Sequence, residues 1–419
     1  MEPIVGIVAE YNPFHNGHLY QLREAKRRSG ADCAVAVMSG NFVQRGAPAA
    51  ADKWERAASA AACGADRVLE LPFFYACNSA ELFAEGGIGI LRGLGCVTHL
   101  SFGCETQCPE LLKAAADVLA EEPAAFRQQL RVFLDRGESY PKARWEALRA
   151  VCGQKTASVI ESPNNILAVE YLKQCIRQGW NPEYVPVFRK GASYDEKQLS
   201  GETASAAALR ESYDGFCAED PDKRDAGAWK KTIERFLPEI SLDMLLQKGA
   251  SKQKLEEGLY PVLISKILTA APEELGELVS AGEGLQNRLK KAALRAESIE
   301  ELVQLVKSKR YTETRIRRFL IHIVFGLTQQ AEGQHYARVL AFNAKGAALL
   351  RKIKKEACAQ IPVLTNVNKE LEKNSPVYES IKLDFTASEI YHLIRGEALY
   401  SNSDYVRKPI FADEIVKFA

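Results

Sequence analysis

The chain has 419 residues, 47% of them hydrophobic and 26% charged, which is enough apolar material for two or three domain cores and excludes a disordered chain. A formal net charge of +1 names no partner, because opposite charges can be segregated along the sequence. No apolar run approaches the roughly 18 residues of a membrane span. The start passes straight into a strand with no basic leader or cleavage site, so a cytoplasmic protein with no membrane partner is expected. The ten cysteines contain no C-x-x-C pair, and Cys104 and Cys108 lack nearby ligands for zinc; buried free thiols and no bound metal are expected.

The first apolar run, residues 4–9 (Ile-Val-Gly-Ile-Val-Ala), reads as a buried strand. It leads into Glu10-Tyr11-Asn12-Pro13-Phe14-His15-Asn16-Gly17-His18, and residues 17–28 follow with helical spacing. Two of the six histidines in the chain fall in this one turn. A strand-to-helix turn offers backbone N–H groups and a positive dipole end to an anion. Two imidazoles on the same lip add donors for negative charge building up on a phosphate. Gly17 allows close backbone approach. The chemistry indicated is attack on the α-phosphate of a nucleoside triphosphate, with His15 and His18 as the catalytic pair. A metal pair and plain structural histidines are the alternatives.

Alternation continues. Residues 33–38 read as a second strand, 53–63 as a helix, 67–71 as a strand, 79–94 as a helix and 97–102 as a strand. Mostly helical sequence then runs over 109–153 and 165–179. Residues 183–189 read as the strand completing the sheet. Near-continuous apolar strands alternating with helices predict an α/β fold, a Rossmann-like parallel sheet covered on both faces. Ligands of such sheets bind beyond the carboxyl ends of the strands. The loop Ser39-Gly40-Asn41-Phe42-Val43-Gln44-Arg45-Gly46 leaves one of these ends, and its Arg45 can hold a carboxylate or phosphate. Lys53 and Arg56 begin a helix, where cations oppose the dipole and need compensation from a nearby phosphate or from solvent. Asn164 or Asn165 is a natural helix cap or a nucleotide contact. Arg189 and Lys190 end the last strand. Thr203 to Arg210 sets small hydroxyls, Ser205 among them, at a helix start with Arg210 about one and a half turns later, an arrangement that binds phosphate or serves as a plain cap.

Residues 212–227 are charged and rich in turn formers, and read as a linker. This divides the chain into a catalytic domain over 1–212 and a mostly helical domain over 213–419. Helices are expected at 255–268, 286–306, 312–327 and 337–357. Between Lys307 and Arg318 lie six basic residues and one acid, with Tyr311 interleaved. A second basic run spans Arg351 to Lys355. Such runs suit a nucleic acid, neutralising phosphates and stacking a base, or else form a solvated helix face.

The turn from Glu10 to His18 resembles the H-x-G-H signature of the nucleotidylyltransferases. A narrower resemblance rests on Val5 to Gln21, Ala36 to Gly46, Glu70-Leu71-Pro72, Ser101-Phe102-Gly103, Ser162 to Leu167, Lys309 to Arg318, Arg338 to Asn343, Thr365-Asn366 and Ala387 to Tyr391. Across nearly the whole chain, these segments resemble the bacterial tRNA(Met) cytidine acetate ligases. The resemblance implies activation of acetate by ATP and Mg²⁺ as acetyl-adenylate, with release of pyrophosphate. Acetyl then passes to the N4 amine of the wobble cytidine in the anticodon stem-loop of elongator tRNA(Met). It also implies that Val8, Ala9, Glu10 and the turn through Leu19, Tyr20 and Gln21 wrap ATP. Gly103, Asn164, Asn165, Arg189, Lys190 and Ser205 complete that site. Ala207 departs from the pattern, standing where a further hydroxyl is expected.

Ser39, Gly40, Gln44, Arg45 and Lys53 are the candidates for acetate or phosphate. Lys309, Arg310, Arg315, Arg317 and Arg318 are those for tRNA. Lys53 and Asp52 are conceivable bases for the cytidine amine. The runner-up is an adenylyltransferase acting on a small phosphate ester such as nicotinate mononucleotide or pantetheine phosphate. It leaves some 190 further residues with basic helices unexplained. A tRNA-binding assembly protein with a regulatory nucleotide site would have no need of His15 and His18.

Overall fold

The apolar segments of the first half form the parallel centre of an eight-stranded sheet. The structure, a computed structural model, describes residues 2–189, 199, 204–282, 284–308, 311–399 and 404–415. Its strands are β1 (Ile4–Ala9), β2 (Cys33–Ser39), β3 (Phe42–Val43), β4 (Ala47–Pro48), β5 (Arg67–Leu71), β6 (His99–Cys104), β7 (Glu183–Phe188), β8 (Ala337–Phe342), β9 (Val363–Leu364) and β10 (Ile410–Phe411). The large sheet runs β10-β8-β5-β2-β1-β6-β7, with β9 beside β8, while β3 and β4 form a separate hairpin. β1 pairs in parallel with β2 (Ile7 opposite Ala36) and with β6 (Ile7 opposite Ser101). The chain moves outward from β1 in one direction through β2 and β5, then in the other through β6 and β7. The gap beyond the carboxyl ends of β1 and β6 is therefore the switch point where open α/β sheets bind ligands.

Both faces are covered. One carries the helices Ala80–Gly93, Pro109–Glu121 and Pro163–Arg177, whose Phe83, Leu112 and Val169 join Val8, Leu100 and Leu69 in the main core. The other carries Asn16–Ser29 and Lys53–Ala62, packed through Leu22, Trp54 and Ala57 on Val5, Ala36 and Met38. A separate helical core joins Lys252–Thr269, Leu285–Ala293, Ile299–Val306 and Glu313–Phe325 through Leu263, Leu289, Leu302 and Phe319.

Four sequence expectations are corrected here. Residues 337–357 were expected as one helix, but Ala337–Phe342 is a strand and only Ala344–Glu356 is helical, capped by Asn343 through Gly346 N–H (3.0 Å). β8 lies antiparallel to β5, its first five residues buried, so Glu183–Phe188 does not complete the sheet. Sheet burial wants a continuous apolar run, and Val339-Leu340-Ala341 reads equally as helix or strand until a neighbour is known. The sheet thereby draws residues from both sides of the expected division at 212/213. Residues 286–306 break into two helices where Ser298 caps the second through Glu301 N–H (3.1 Å). Residues 212–218, expected as linker, continue the helix Ala206–Ala218.

No helix among the described residues is long and apolar enough to cross a membrane. All ten cysteines are free; Cys77, Cys96, Cys104 and Cys175 are buried, whereas Cys108 is exposed at the cap of a helix.

Candidate active site

β1 ends at the histidine turn, and the histidines themselves cap the helix that follows. His15 is the N-cap: its Nδ1 accepts the Gly17 N–H at 3.0 Å, while His18 Nδ1 accepts the His15 N–H at 3.3 Å. This reciprocal pair takes the place of the usual Ser and Glu of a capping box. Because each Nδ1 accepts, a neutral ring must carry its hydrogen on Nε2. The rings lie tilted against each other, with centroids 3.8 Å apart and 32° between planes. A Cβ at Gly17 would stand 2.7 Å from His15 Cε1, so the close approach requires glycine. Tyr11 adopts φ 48°, a left-handed conformation held by full burial of its ring beside Phe14 (4.9 Å).

The turn opens on a cleft of about 1340 Å³, its mouth included. Of the expected nucleotide residues, Val8, Ala9, Glu10, Tyr11, Asn12, His15, Gly17, His18, Tyr20, Gln21, Gly103, Asn164 and Arg189 line it, as do Gln44 and Arg45. Burial pushes the His15 imidazole well below the ordinary range, helped by His18, Arg189 and Arg210. Burial and Arg189 push His18 down to about 3. Both rings are thus neutral donors at neutral pH, beside the cations Arg189 and Arg210.

Other expected residues lie elsewhere. Pro13 and Phe14 are buried beneath the turn, Leu19 packs on the core, and Asn16 Nδ2 donates to the Arg235 carbonyl (2.9 Å) in the helical part. Neither Asn164 nor Asn165 caps a helix; Ser162 is the cap residue. Asn165 Oδ1 accepts the Glu105 N–H (2.8 Å) and Asn164 bonds the Glu105 carboxylate, tying their helix to the end of β6. Ser205 Oγ caps its helix through Ala208 N–H (3.0 Å) and does not line the cleft. Lys190 and Thr203 lie outside the described residues.

Ser39, Gly40 and Lys53 do not line the cleft either. Ser39 is fully buried, and the carbonyls of Ser39 and Gly40 accept from the Arg56 guanidinium. Lys53 is 1% exposed, bonded to Glu70 and, at 2.5 Å, to Asp404. The compensation these helix-start cations need comes from buried carboxylates and carbonyls, not from phosphate or water. Asp52 is likewise buried, capping its helix through Trp54 N–H (2.8 Å).

Sequence reasoning missed Phe83, Phe102, Leu167 and Tyr171, which supply an apolar wall from three elements. Only their meeting at one strand end marks them. Arg210, expected beside the hydroxyls of the segment Thr203 to Arg210, lines the cleft and donates to the Asn12 carbonyl at 2.6 Å.

On the basic helix Glu313–Phe325, Arg317 is 9% exposed and meets Glu256 (2.9 Å), Glu300 (2.5 Å) and Glu313 (3.2 Å), so the fold itself pairs this charge. Arg315 is half-buried, its guanidinium 5.6 Å from the Tyr311 ring centre. Arg318 reaches the Gln44 carbonyl at 3.5 Å, and its Nε has no partner among the described residues. Lys309 and Arg310 lie outside the described residues. Gly46 joins the two regions: a Cβ there would lie 2.3 Å from the Arg318 nitrogen, so the loop carrying Gln44 and Arg45 is pressed against this helix.

The family model described as HIGH Nucleotidyl Transferase matches residues 1–404. Among curated relatives, the tRNA(Met) cytidine acetate ligase of Thermoanaerobacter sp. (strain X514) is 38% identical over 413 residues, covering 96% of this chain and 98% of that protein. The protein of the same name from Acetivibrio thermocellus is 36% identical over 400 residues, covering 93% and 94%. The apo crystal structure of Thermotoga maritima TmcAL is similar to this fold at TM-score 0.86 and 31% identity, over 98% of this chain and 99% of that one. A crystal structure of the same protein bound with alpha-thio ATP is similar at TM-score 0.85 and 30% identity. The chain belongs to the tRNA(Met) cytidine acetate ligase family of HIGH nucleotidyl transferases.

Proposed function

We propose that this protein activates acetate with ATP as acetyl-adenylate and transfers the acetyl group to the N4 amine of the wobble cytidine of elongator tRNA(Met). The observation that carries the reading is the histidine pair, two neutral Nε2–H donors at a helix N-terminus with Arg189 beside them. Such a cradle suits the negative charge that gathers on an α-phosphate as a carboxylate oxygen attacks it. The relatives' shared name and the alpha-thio ATP bound by the Thermotoga protein support the choice of substrates.

In this scheme the acetate oxygen bonds to the α-phosphorus and pyrophosphate leaves. Mg²⁺ would arrive on the triphosphate and neutralise it. Among the described residues no group of three or more His, Cys, Asp or Glu side chains is arranged to hold a metal. Gln44 and Arg45, which line the cleft, would meet acetate. Arg315 and Arg318, with Lys309 and Arg310, would meet the phosphates of the anticodon stem-loop in the cytoplasm.

Acetate-dependent exchange of labelled pyrophosphate into ATP tests the reading, with and without unmodified tRNA(Met). Exchange that requires acetate is the expected result. Exchange that ignores acetate but responds to a small phosphate ester overturns it.

A further inference from the structure

A second cleft, of about 1160 Å³, opens beside the first, and the two share a wall made by Glu10, Asn12, Arg45, Ala207 and Arg210. Its far side is the basic helix, through Glu313, Thr314 and Arg317. An adenylate held in the first cleft is enclosed by the sheet behind it and the helix Asn16–Ser29 beside it. A base carried by RNA lying on the basic helix would therefore come to the acyl carbon through the second cleft.

Among the described residues, Glu10 is the one carboxylate that lines both clefts. Glu211, Asp214, Glu256 and Glu313 line the second alone, and Glu256 and Glu313 are held by Arg317. Asp52 and Lys53 line neither. Glu10 is fixed at the boundary from two sides: its Oε1 accepts the Gln44 N–H at 3.0 Å, and its carbonyl accepts Arg56 Nη1 at 2.6 Å.

Resting on the acetate-activation reading above, we infer that the second cleft receives the acceptor cytosine and that Glu10 takes the proton from its exocyclic amine. The lone pair of that amine is delocalised into the ring, so it attacks weakly and must lose a proton as the new bond forms. The amine nitrogen bonds to the acetyl carbon, and the bond from that carbon to the phosphate oxygen breaks. AMP leaves with the electron pair, and one amine proton passes to the Glu10 carboxylate.

Three rates in the full-length protein test this: acetate-dependent pyrophosphate exchange, trapping of the acetyl group by hydroxylamine, and transfer to unmodified tRNA(Met). Glu10→Gln should lower transfer to tRNA roughly 100-fold more than it lowers exchange, and Glu10→Asp should recover part of the difference. Ala47→Trp, from a half-buried position on the second cleft only, should lower transfer to tRNA at least about tenfold more than it lowers hydroxylamine trapping. Filter binding then reports whether tRNA still docks, and its retention is expected. Equal losses of exchange and transfer in Glu10→Gln would return Glu10 to nucleotide binding and overturn its role as base. Equal losses of transfer and trapping in Ala47→Trp would overturn the route. A parent protein with no acetate-dependent exchange would overturn the underlying reading, and this inference with it.

Discussion

At neutral pH His15 and His18 each carry a hydrogen on Nε2 and none on Nδ1, since backbone N–H groups occupy both Nδ1 positions and burial disfavours the imidazolium. On the proposed mechanism, replacing His18 by Ala removes one donor to the α-phosphate and should lower pyrophosphate exchange by about 10²–10³-fold. Retention of exchange would place the chemistry elsewhere. The lowered pKa also has a stability consequence. The unfolded imidazole takes up its proton near pH 6.5, whereas folded His18 resists until about pH 3. Folding stability is therefore unaffected above pH 6.5 and falls as pH drops below it, by about 1.4 kcal/mol per unit for this ring. In denaturation series at pH 7.5 and pH 5, the loss on acidification should be about 2 kcal/mol smaller in His18→Asn than in the parent. Equal losses would mean that the ring is already protonated or is well solvated in the folded protein.

A helix can carry a basic run and offer only part of it. On Glu313–Phe325, Arg317 faces three carboxylates of its own fold, whereas Arg315 is half-buried beside Tyr311. Arg315→Ala should weaken tRNA binding and reduce its salt dependence by about one phosphate contact, with stability unchanged within about 0.5 kcal/mol. Arg317→Ala should instead destabilise by ~1–3 kcal/mol, because charged hydrogen bonds in a largely buried setting are lost. A reversal of the two phenotypes, read by filter binding and urea denaturation, would reverse their assignments. At Gly46, φ is +74° and the helix backbone lies against the position where a Cβ would stand. Gly46→Val should therefore loosen the loop from the helix and slow transfer to tRNA more than exchange. The same contrast between local and non-local determinants explains the strand β8. Ala337–Phe342 has apolar content that suits either period, and its antiparallel partner Arg67–Leu71 lies some 270 positions away, with Arg338 bonding Glu70.

The chain's end returns to its beginning through a cluster of buried charges. Asp404, 3% exposed, accepts from Trp54 Nε1 (2.6 Å), Ser388 Oγ (2.9 Å) and Arg338 Nη1 (2.9 Å), and pairs with Lys53. Arg338 and Lys53 hold its carboxyl well below the usual range against the cost of burial. Nearby Asp384 is pushed up to about 7 by burial and by the charge of Glu70. Asp404→Ala would leave Lys53 and Arg338 with Glu70 as their main counter-charge and should cost ~3–5 kcal/mol. Asp404→Asn should cost less, and urea denaturation of both checks the order. The cluster holds together the sheet, the helix Lys53–Ala62 and the C-terminal segment, so the two halves expected from composition share one support.

The sequence by itself determined the strands β1, β2, β5 and β6, the histidine turn at the helix start, and the presence of a helical second region. Each of these is written in neighbouring residues: apolar runs, Asn-Pro-Phe before a helix, and helical periodicity. Only the tertiary structure decided where Ala337–Phe342 goes, which arginine of the basic run is engaged, that Lys53 pairs with Glu70 and Asp404, and that Glu10 stands between two clefts. Those outcomes depend on which distant side chains meet in a low-dielectric interior, and no local pattern encodes such a meeting.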